Sequence, residues 1–449
     1  MRHRFAVLLI VVSVLSRHGD ARADSTGAAL TITAAVKLAV AQYPSVAVAR
    51  AVGDQARAAV GEARAAWMPT FSLAMSATQY EEPMLVSPIH SFSLTMPPTF
   101  DRTVFQSAVA AEYTLFDGGG RGARIRLAKH QAAVAEAGLD ATQQALIART
   151  VGAYLNVLGM REVLAAHDRR IAAFQSQKDR IRQLHDVGRA ADVDILRIEA
   201  ALTQAEADRV EVATNLDTAE RDLARLLGLA PSTSGFERLR SVTLADSTLR
   251  SRDEVLAAVS ARSPAITQAK SALAAADAGW ALARSVHWPS VHAVGNYVDR
   301  RNEEGYHAAE WSAGLSLSLP LFTGGAVAHS VERARASARA AREQLRQEEL
   351  RVVGDVDRAL SAINAARART RSLAAATERF AEIVRIEKLR LETGVGTQTD
   401  YLTSEADLLS ASAGLTAARN AEIGANVELA RISGELTMDW IAHHLEDRP

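Results

Sequence analysis

The sequence of 449 residues contains no cysteine. Without thiols the chain cannot form disulfides, thiolate metal sites or cysteine nucleophiles, and it has no residue for the N-terminal lipid of a lipoprotein. The formal net charge is only −1, so no basic field indicates a nucleic-acid partner. Beyond the N-terminal apolar run, no stretch approaches the roughly 18 apolar residues of a transmembrane helix, and we expect none.

The N-terminus has the pattern of a secretory signal peptide. Basic residues at positions 2–4 precede an apolar run at 5–15, and Ala21-Arg22-Ala23 has the small-x-small pattern of a cleavage site. We therefore expect residues 1–23 to be a signal peptide. The alternative is a short N-terminal membrane anchor, which the length of the apolar run disfavours.

The rest of the chain repeats its landmarks. A Leu-Phe-x-Gly-Gly motif occurs at 115–119 and at 321–325, and each copy precedes a second glycine, Gly188 or Gly394, by 73 residues. Paired prolines 25 residues apart begin both halves. These intervals predict a tandem duplication of about 210 residues, and a long internal repeat constrains the whole architecture. The predicted divisions are a first repeat at 24–229, a linker at 230–252, a second repeat at 253–436 and a tail at 437–449.

Each half contains segments in which apolar and small polar residues alternate, the period of a β-strand. The clearest example has six apolar positions, Trp311, Ala313, Leu315, Leu317, Leu319 and Leu321. We predict one hairpin in each half, at about 70–116 and 290–322. Strands of about ten residues are long enough to cross the hydrocarbon layer of a membrane. The first hairpin has the longer loop, in a segment around 81–98 that is rich in Pro and Ser.

Long helical tracts follow the two hairpins, at 123–228 and 327–436, and each turns back at its second glycine. About 60 residues of helix extend roughly 90 Å. The returning helix of the first half carries apolar residues at alternating three- and four-residue steps, which is typical of a coiled-coil seam. The sequence thus predicts an α+β membrane protein with long antiparallel coiled-coil helices and four transmembrane strands.

Four strands cannot close a barrel, and open strand edges are not tolerated in lipid. Several chains must therefore share one barrel, with eight strands from two chains or twelve from three. The small residues on the inner strand faces favour an open lumen, which needs the larger barrel.

Several short motifs carry a resemblance to a known family. They are the two Leu-Phe-x-Gly-Gly copies, Asp186-Val187-Gly188 with Asp194-Ile195-Leu196, Thr393-Gly394 with Asp400-Tyr401-Leu402, and Ala224-Arg225-Leu226-Leu227-Gly228-Leu229. In this order the chain resembles the outer-membrane efflux protein family, the TolC-like channels. The resemblance implies a homotrimer in the outer membrane of a Gram-negative bacterium, with a 12-stranded β-barrel and a 12-helix periplasmic α-barrel. It also implies a periplasmic adaptor (membrane fusion) protein and an inner-membrane pump of the RND or ABC type as partners.

The resemblance also assigns the two helical turns to the periplasmic tip that contacts the adaptor. These residues are Val187, Gly188, Arg189, Ala190, Thr393, Gly394, Val395 and Gly396. Asp400, with Thr403 one turn later, matches an acidic position near the periplasmic constriction of the family. A carboxylate early in a helix also suits the positive helix end, so capping is an equal alternative for Asp400.

The glycines Gly118, Gly119, Gly324 and Gly325 invite comparison with a phosphate-binding loop. They lack the Lys-Ser/Thr of that motif, and we interpret them as strand-to-helix corners that need backbone freedom. His443-His444 is a weak candidate for a transition-metal site.

We expect no cofactor, no bound metal and no catalysis. The predicted function is a passive export duct of a tripartite efflux or type I secretion system. The alternative is a secreted, non-channel coiled-coil scaffold.

Overall fold

The computed structural model describes residues 30–87, 98–229, 239–245 and 250–448. The predicted signal peptide and the centre of the first hairpin loop lie outside the described residues. Helices dominate the structure, and a four-stranded sheet lies at one end of them.

The two halves contain the same series of elements. The first half consists of α1 (Ile32–Gln42), α2 (Pro44–Ala65), β1 (Thr70–Leu85), β2 (Phe100–Phe116), α3 (Gly120–Asp186) and α4 (Asp192–Leu226). A short strand, β3 (Ser241–Leu244), follows. The second half consists of α5 (Arg252–Arg262), α6 (Pro264–Ser285), β4 (Ser290–Arg301), β5 (His307–Ser318), α7 (Ala326–Glu392) and α8 (Gln398–Ile432), before α9 (Met438–His444) and β6 (Leu445–Arg448). Matching helices have equal lengths of 11, 22, 67 and 35 residues.

Local sequence signals explain where the short helices begin. The Thr31 hydroxyl accepts a hydrogen bond from the Ala34 N–H at 3.1 Å and caps α1. Ser251 and Glu254 cap α5 reciprocally, with side-chain to backbone bonds of 3.3 and 2.8 Å. Pro44 and Pro264 occupy the first positions of α2 and α6, where the missing N–H costs nothing.

The strands form one antiparallel sheet in the order β1-β2-β4-β5. Cross-strand partners place apolar residues together on one face. One such row is Leu73, Val109, Tyr297 and Trp311, and all four side chains are exposed. The neighbouring row on the opposite face is Ser72, Ala110, Asn296 and Ser312. The alternation therefore separates an apolar face from a face of small and polar residues.

The strands are longer than the ten residues predicted, at 16, 17, 12 and 12 residues. The first hairpin differs most from the prediction. Strand β1 continues to Leu85, into the segment predicted as loop, after a register shift between Gln79 and Met84. Between these pairs β1 advances five residues and β2 only two, so the alternation along β1 is broken there and the pattern ended before the strand did.

The long helices form a wall. Near the sheet, α3 packs between α2 and α6, and α6 packs on α7. Farther from the sheet, α3 packs on α4 and α8, and α8 packs on α7. The predicted seam of α4 is largely buried, at Ile198, Leu202, Ala205, Ala219, Leu223 and Leu226. Small residues at the contacts allow the helices to approach closely, and Ala123, Ala128, Ala132 and Ala137 of α3 are all buried.

The segments predicted as linker and tail contain a second, small sheet. β3 pairs antiparallel with β6, and α9 precedes β6 directly. These strands were not predicted, because β3 alternates over only four residues, the shortest run that counts, and β6 does not alternate. This sheet lies beside the middle of α3, where the Tyr154 hydroxyl is 2.7 Å from the Leu30 carbonyl oxygen and 2.9 Å from that of Arg240.

Among the described helices, no single one is long and apolar enough to cross a membrane. The pair α1 and α2 passes by combined length and composition, but it is bent by 49° between Gln42 and Pro44.

Candidate functional site

The first helical turn connects α3 to α4. Gly188 has φ of 72°, which favours glycine, and the next N–H, of Arg189, donates to the Leu184 carbonyl at 2.7 Å. On the far side of the turn, His185 Nε2 lies 2.8 Å from Asp192 Oδ1. Val187 is 67% exposed at the end of this turn. The first tip is thus a closed helical turn with an apolar side chain in solvent.

The second turn connects α7 to α8 and is held differently. Gly394 has φ of 81°, and the Val395 and Gly396 N–H groups both donate to the Arg390 carbonyl at 3.0 Å. A Cβ at Gly396 would lie 2.8 Å from Arg390 Cβ, so the close approach requires glycine. Val395 is 71% exposed, in the place that Arg189 occupies in the first turn. The tips share a glycine turn but present different side chains.

A common core joins the two tips. Phe174 and Ile181 of α3, Ile198 of α4 and Tyr401 of α8 are buried together. At the rim, Arg180 Nη2 donates to the Glu392 carbonyl at 2.8 Å, and Arg180 Nη1 lies 3.4 Å from the Glu392 carboxylate. A cation at this position neutralises the negative end of α7. The turns of the two halves therefore form one structural unit within a chain.

Tyr401 is the buried polar residue of this unit. Its hydroxyl donates to Glu405 at 3.0 Å, and burial together with the Glu405 charge raises the pKa of the phenol. Neither Tyr401 nor Arg180 is among the site residues predicted from the sequence. Arg180 bonds Glu392, which is 212 residues away, and Tyr401 is buried against residues of α3 and α4, so neither contact has a local sequence signature.

Asp400 occupies the third position of α8. Its N–H donates to the Thr397 hydroxyl oxygen at 3.1 Å, and its Oδ2 accepts from the same hydroxyl at 2.7 Å. Asp400 and Thr403 are both exposed. This geometry is that of an N-terminal helix cap. A role at a constriction depends on several copies meeting at an axis and stays a prediction.

The strand-to-helix corners lie at the opposite end of the long helices. Gly118 and Gly119 have φ of 63° and 84°, and Gly324 and Gly325 have φ of 60° and 85°. In the first corner, Asp117 Oδ2 accepts from the Arg121 N–H at 2.6 Å, at the start of α3. A carboxylate thus takes the place at the helix N-terminus where a phosphate would bind, which supports the interpretation as a corner.

The first corner is also more tightly packed than the second. A Cβ at Gly118 would lie 2.6 Å from both the Ser285 carbonyl oxygen and Trp288 Cβ. The buried Arg121 guanidinium stacks on the Trp67 ring at 4.2 Å and donates to the Leu115 carbonyl at 3.2 Å. At Gly324, no heavy atom lies within 4 Å of the corresponding Cβ position.

Among the described residues, no group of three or more His, Asp or Glu side chains has the geometry of a metal site. His443 and His444, the weak candidates for a metal site, each bond a backbone carbonyl. His443 Nδ1 lies 2.6 Å from the Asp439 oxygen, and His444 Nδ1 lies 2.9 Å from the Trp440 oxygen. The His444 ring also stacks on Trp440 at 4.5 Å. Both histidine rings are therefore held by contacts within α9.

The pattern of the family described as "Outer membrane efflux protein" matches residues 35–229 and 255–435. The chain belongs to this family. It is an outer-membrane protein with a large periplasmic helical portion.

Two curated relatives illustrate the similarity. Protein CyaE of Bordetella pertussis is 30% identical over 68% of this chain and 65% of its own length, slightly under two thirds. Outer membrane efflux protein BepC of Brucella suis is 23% identical over 77% of this chain and 75% of its own length.

Solved structures share the fold. The outer membrane protein VceC from Vibrio cholerae superposes with a TM-score of 0.76 at 18% identity, covering 90% of this chain and 96% of its own. The open state of the Neisseria gonorrhoeae MtrE outer membrane channel gives a TM-score of 0.74 at 20% identity, covering 91% and 90%.

Proposed function

We propose that three copies of this chain form a passive export duct across the outer membrane. The four strands of each copy would contribute to one 12-stranded barrel, and the long helices would continue it as a periplasmic tunnel. The observation that carries this proposal is the exposed apolar face of the sheet. A sheet with one apolar and one small polar face suits a wall between lipid and a water-filled lumen.

The ends of the sheet support a shared barrel. Strands β1 and β5 are the outermost strands of the order β1-β2-β4-β5, so each has its second edge free for another chain. Equal helix lengths in the two halves, together with two separate family matches, also support an origin by tandem duplication. Three chains would then present six similar units around one axis.

Two adjacent residues of β5 test the orientation of the sheet. Leu315 is 73% exposed on the apolar face, and Ser316 lies next to it on the opposite face. We expect Leu315→Arg to reduce insertion into the outer membrane, since a cation facing lipid near mid-bilayer costs about 2–4 kcal/mol. Ser316→Arg is the matched control and should insert normally but change the conductance in planar bilayers.

The measurements are membrane fractionation, heat-sensitive trimer migration on gels and single-channel conductance. Equal insertion by both variants would contradict the orientation. A wild-type protein that gives no heat-sensitive trimer and no conductance would support a non-channel scaffold instead.

We further propose that the two tips contact a periplasmic adaptor and that an inner-membrane pump supplies the energy. Val187 and Val395 are suitable contact residues, because their apolar side chains are 67% and 71% exposed. The double variant V187D/V395D should insert and conduct normally but fail to export in cells. Replacing Gly188 or Gly394 by Pro, which cannot adopt positive φ, should have the same effect by breaking the turns. Normal export by these variants would contradict the proposal.

The relatives give no single cargo. Their names include an efflux protein, BepC, and the protease secretion protein PrtF of Dickeya chrysanthemi. We propose that the pump selects the cargo and that the duct does not. Asp400 would then tune passage at the periplasmic end through a ring of three carboxylates, which favours cations. Asp400→Asn should lower cation selectivity in bilayers without loss of assembly.

A further inference from the structure

The sheet-proximal part of α7 carries an exposed stripe of arginines. Arg335, Arg339, Arg342 and Arg346 follow each other at steps of four, three and four residues, so they lie on one face of the helix. All four are exposed, and none has a carboxylate within ion-pair distance among the described residues. From the first to the last, the stripe extends about 16 Å.

Other arginines of α7 are ion-paired. Farther along the same helix, Arg351 pairs with Glu348 and Asp355, Arg367 with Glu422, and Arg390 with Glu387. The stripe has no such partners on its own helix. Glu343 lies four residues beyond Arg339, but among the described residues no ion pair joins it to any of the four arginines, which repel each other at one-turn spacing.

The second half alone carries the stripe. The corresponding residues of α3 are Lys129, Ala133, Glu136 and Asp140, with two acids where α7 has two arginines. Glu136 lies 3.8 Å from Arg57 of α2. The same helix in the other half therefore folds without the stripe, and the fold itself does not require it.

The same face of α7 is covered farther from the sheet. Asp357 lies 11 residues beyond Arg346 on this face and pairs with Arg252 of α5 at 2.6 and 3.1 Å. Helix α5 also packs its Val255 and Val259 against Val356. The stripe is thus the part of this face left open between α5 and the sheet.

We propose that the stripe is a docking surface for an acidic protein segment, with carboxylates spaced to match the four guanidinium groups. We choose this occupant because its carboxylates would complement the positive charge of the four arginines. A second copy of the chain is a poor match, because the exposed charges of α2, the outermost helix at this level, are three arginines and two acids. With the Gly325 corner at the membrane edge, as the proposed barrel requires, Arg335 lies ten residues, or about 15 Å, beyond it, farther than the headgroup layer of about 5–8 Å extends.

The test uses the full mature protein in zwitterionic detergent and two synthetic helical peptides. One peptide has Glu at positions i, i+4, i+7 and i+11, and the other has the same composition scrambled. The probe variant is R339Q/R342Q/R346Q. The matched control is R369Q/R371Q/R379Q, three other exposed α7 arginines without ion pairs among the described residues.

By fluorescence anisotropy at low salt, the wild type and the control should bind the spaced peptide at least about tenfold more tightly than the probe variant does. The scrambled peptide should bind weakly to all three proteins. Equal binding of both peptides, or no loss in the probe variant, would overturn the proposal. Competition by mixed micelles of anionic phospholipid would also overturn it and assign the stripe to lipid. Protection of the stripe from phenylglyoxal in the assembled protein would overturn it and assign the stripe to a second copy.

Discussion

The two halves of the chain have the same four helix lengths but different ends. Their strands have 16 and 17 residues in one half and 12 and 12 in the other. The first half has a packed corner and a histidine-braced tip, whereas the second has an open corner and a hydroxyl-capped tip. Helix length is constrained by the neighbours along the whole wall, but each end has its own surroundings. The two halves therefore share the geometry of the helical wall and differ at the ends of their helices and strands.

The largest expected difference between the halves lies where α8 and α4 end. Gly434 and Gly228 are corresponding residues with φ of 74° and 70°. A Cβ at Gly434 would overlap the Arg262 carbonyl, whereas one at Gly228 would meet only the Gln42 side chain. We expect Gly434→Ala to cost at least about 3 kcal/mol and Gly228→Ala about 1–2 kcal/mol. Denaturant unfolding followed by circular dichroism measures both, and equal losses would show that the ends are packed alike.

The corners offer a second matched pair. Gly118→Ala combines positive φ with overlap on Ser285 and Trp288, but Gly324→Ala has only the unfavourable φ. We expect losses of about 2–3 and about 1 kcal/mol. The apparent melting temperatures of the two detergent-solubilised variants show which substitution costs more stability. A larger drop for Gly324→Ala would mean that the second corner is packed in the assembled protein.

Among the described residues, the end of α8 has an ion cluster that the end of α4 lacks. Glu435 accepts hydrogen bonds from Arg250 and lies 3.4 Å from Arg262, whereas the corresponding residue of the first half is Leu229. The hydrogen bonds from Arg250 hold the pKa of Glu435 below its ordinary value of 4.5, although burial opposes this. Because the pKa is lowered in the folded state, the stabilisation is complete above the ordinary value and is lost as the pH falls through the lowered one.

We therefore expect Glu435→Gln to lose about 1–2 kcal/mol at pH 7 and less with falling pH below about 4.5. Unfolding at a series of pH values measures this, with Glu349→Gln, an exposed acid of α7 without an ion pair among the described residues, as the control. A constant difference between wild type and Glu435→Gln would exclude the carboxylate charge as the cause.

The smallest expected effects lie at the tips. Thr397 caps α8, while the corresponding Ala191 before α4 has no side-chain acceptor. We expect Thr397→Ala to cost about 1 kcal/mol and Ala191→Thr to gain a few tenths to 1 kcal/mol. Hydrogen exchange of the first turns of α8 and α4 measures both locally. If the two substitutions changed protection in the same direction, capping would not distinguish the tips.

Much of the fold was predictable because its signals are local. Glycines and prolines mark the ends of the helices, and apolar and polar residues alternate along the strands. Each element can therefore be recognised from its own residues. The bulged end of β1 was missed where the alternation breaks, and β3 and β6 were too short to show it. The same limit applies to the tip. The glycine of each turn can be recognised in the sequence. The bond from Arg180 to Glu392 joins residues 212 positions apart and has no local signature.

Helix α3 is continuous from the corner at Gly119 to the first tip, a column of 67 residues and about 100 Å. At its sheet end, Asp117 caps the helix and Arg121 stacks on Trp67. At its far end, Arg180 donates a hydrogen bond to Glu392 of α7. As a rigid rod pivoting at the corner, it would move its tip by about 1.7 Å for each degree of tilt. A tilt of α3 at the membrane end would therefore be largest at the tip, where the Arg180 bond joins it to α7.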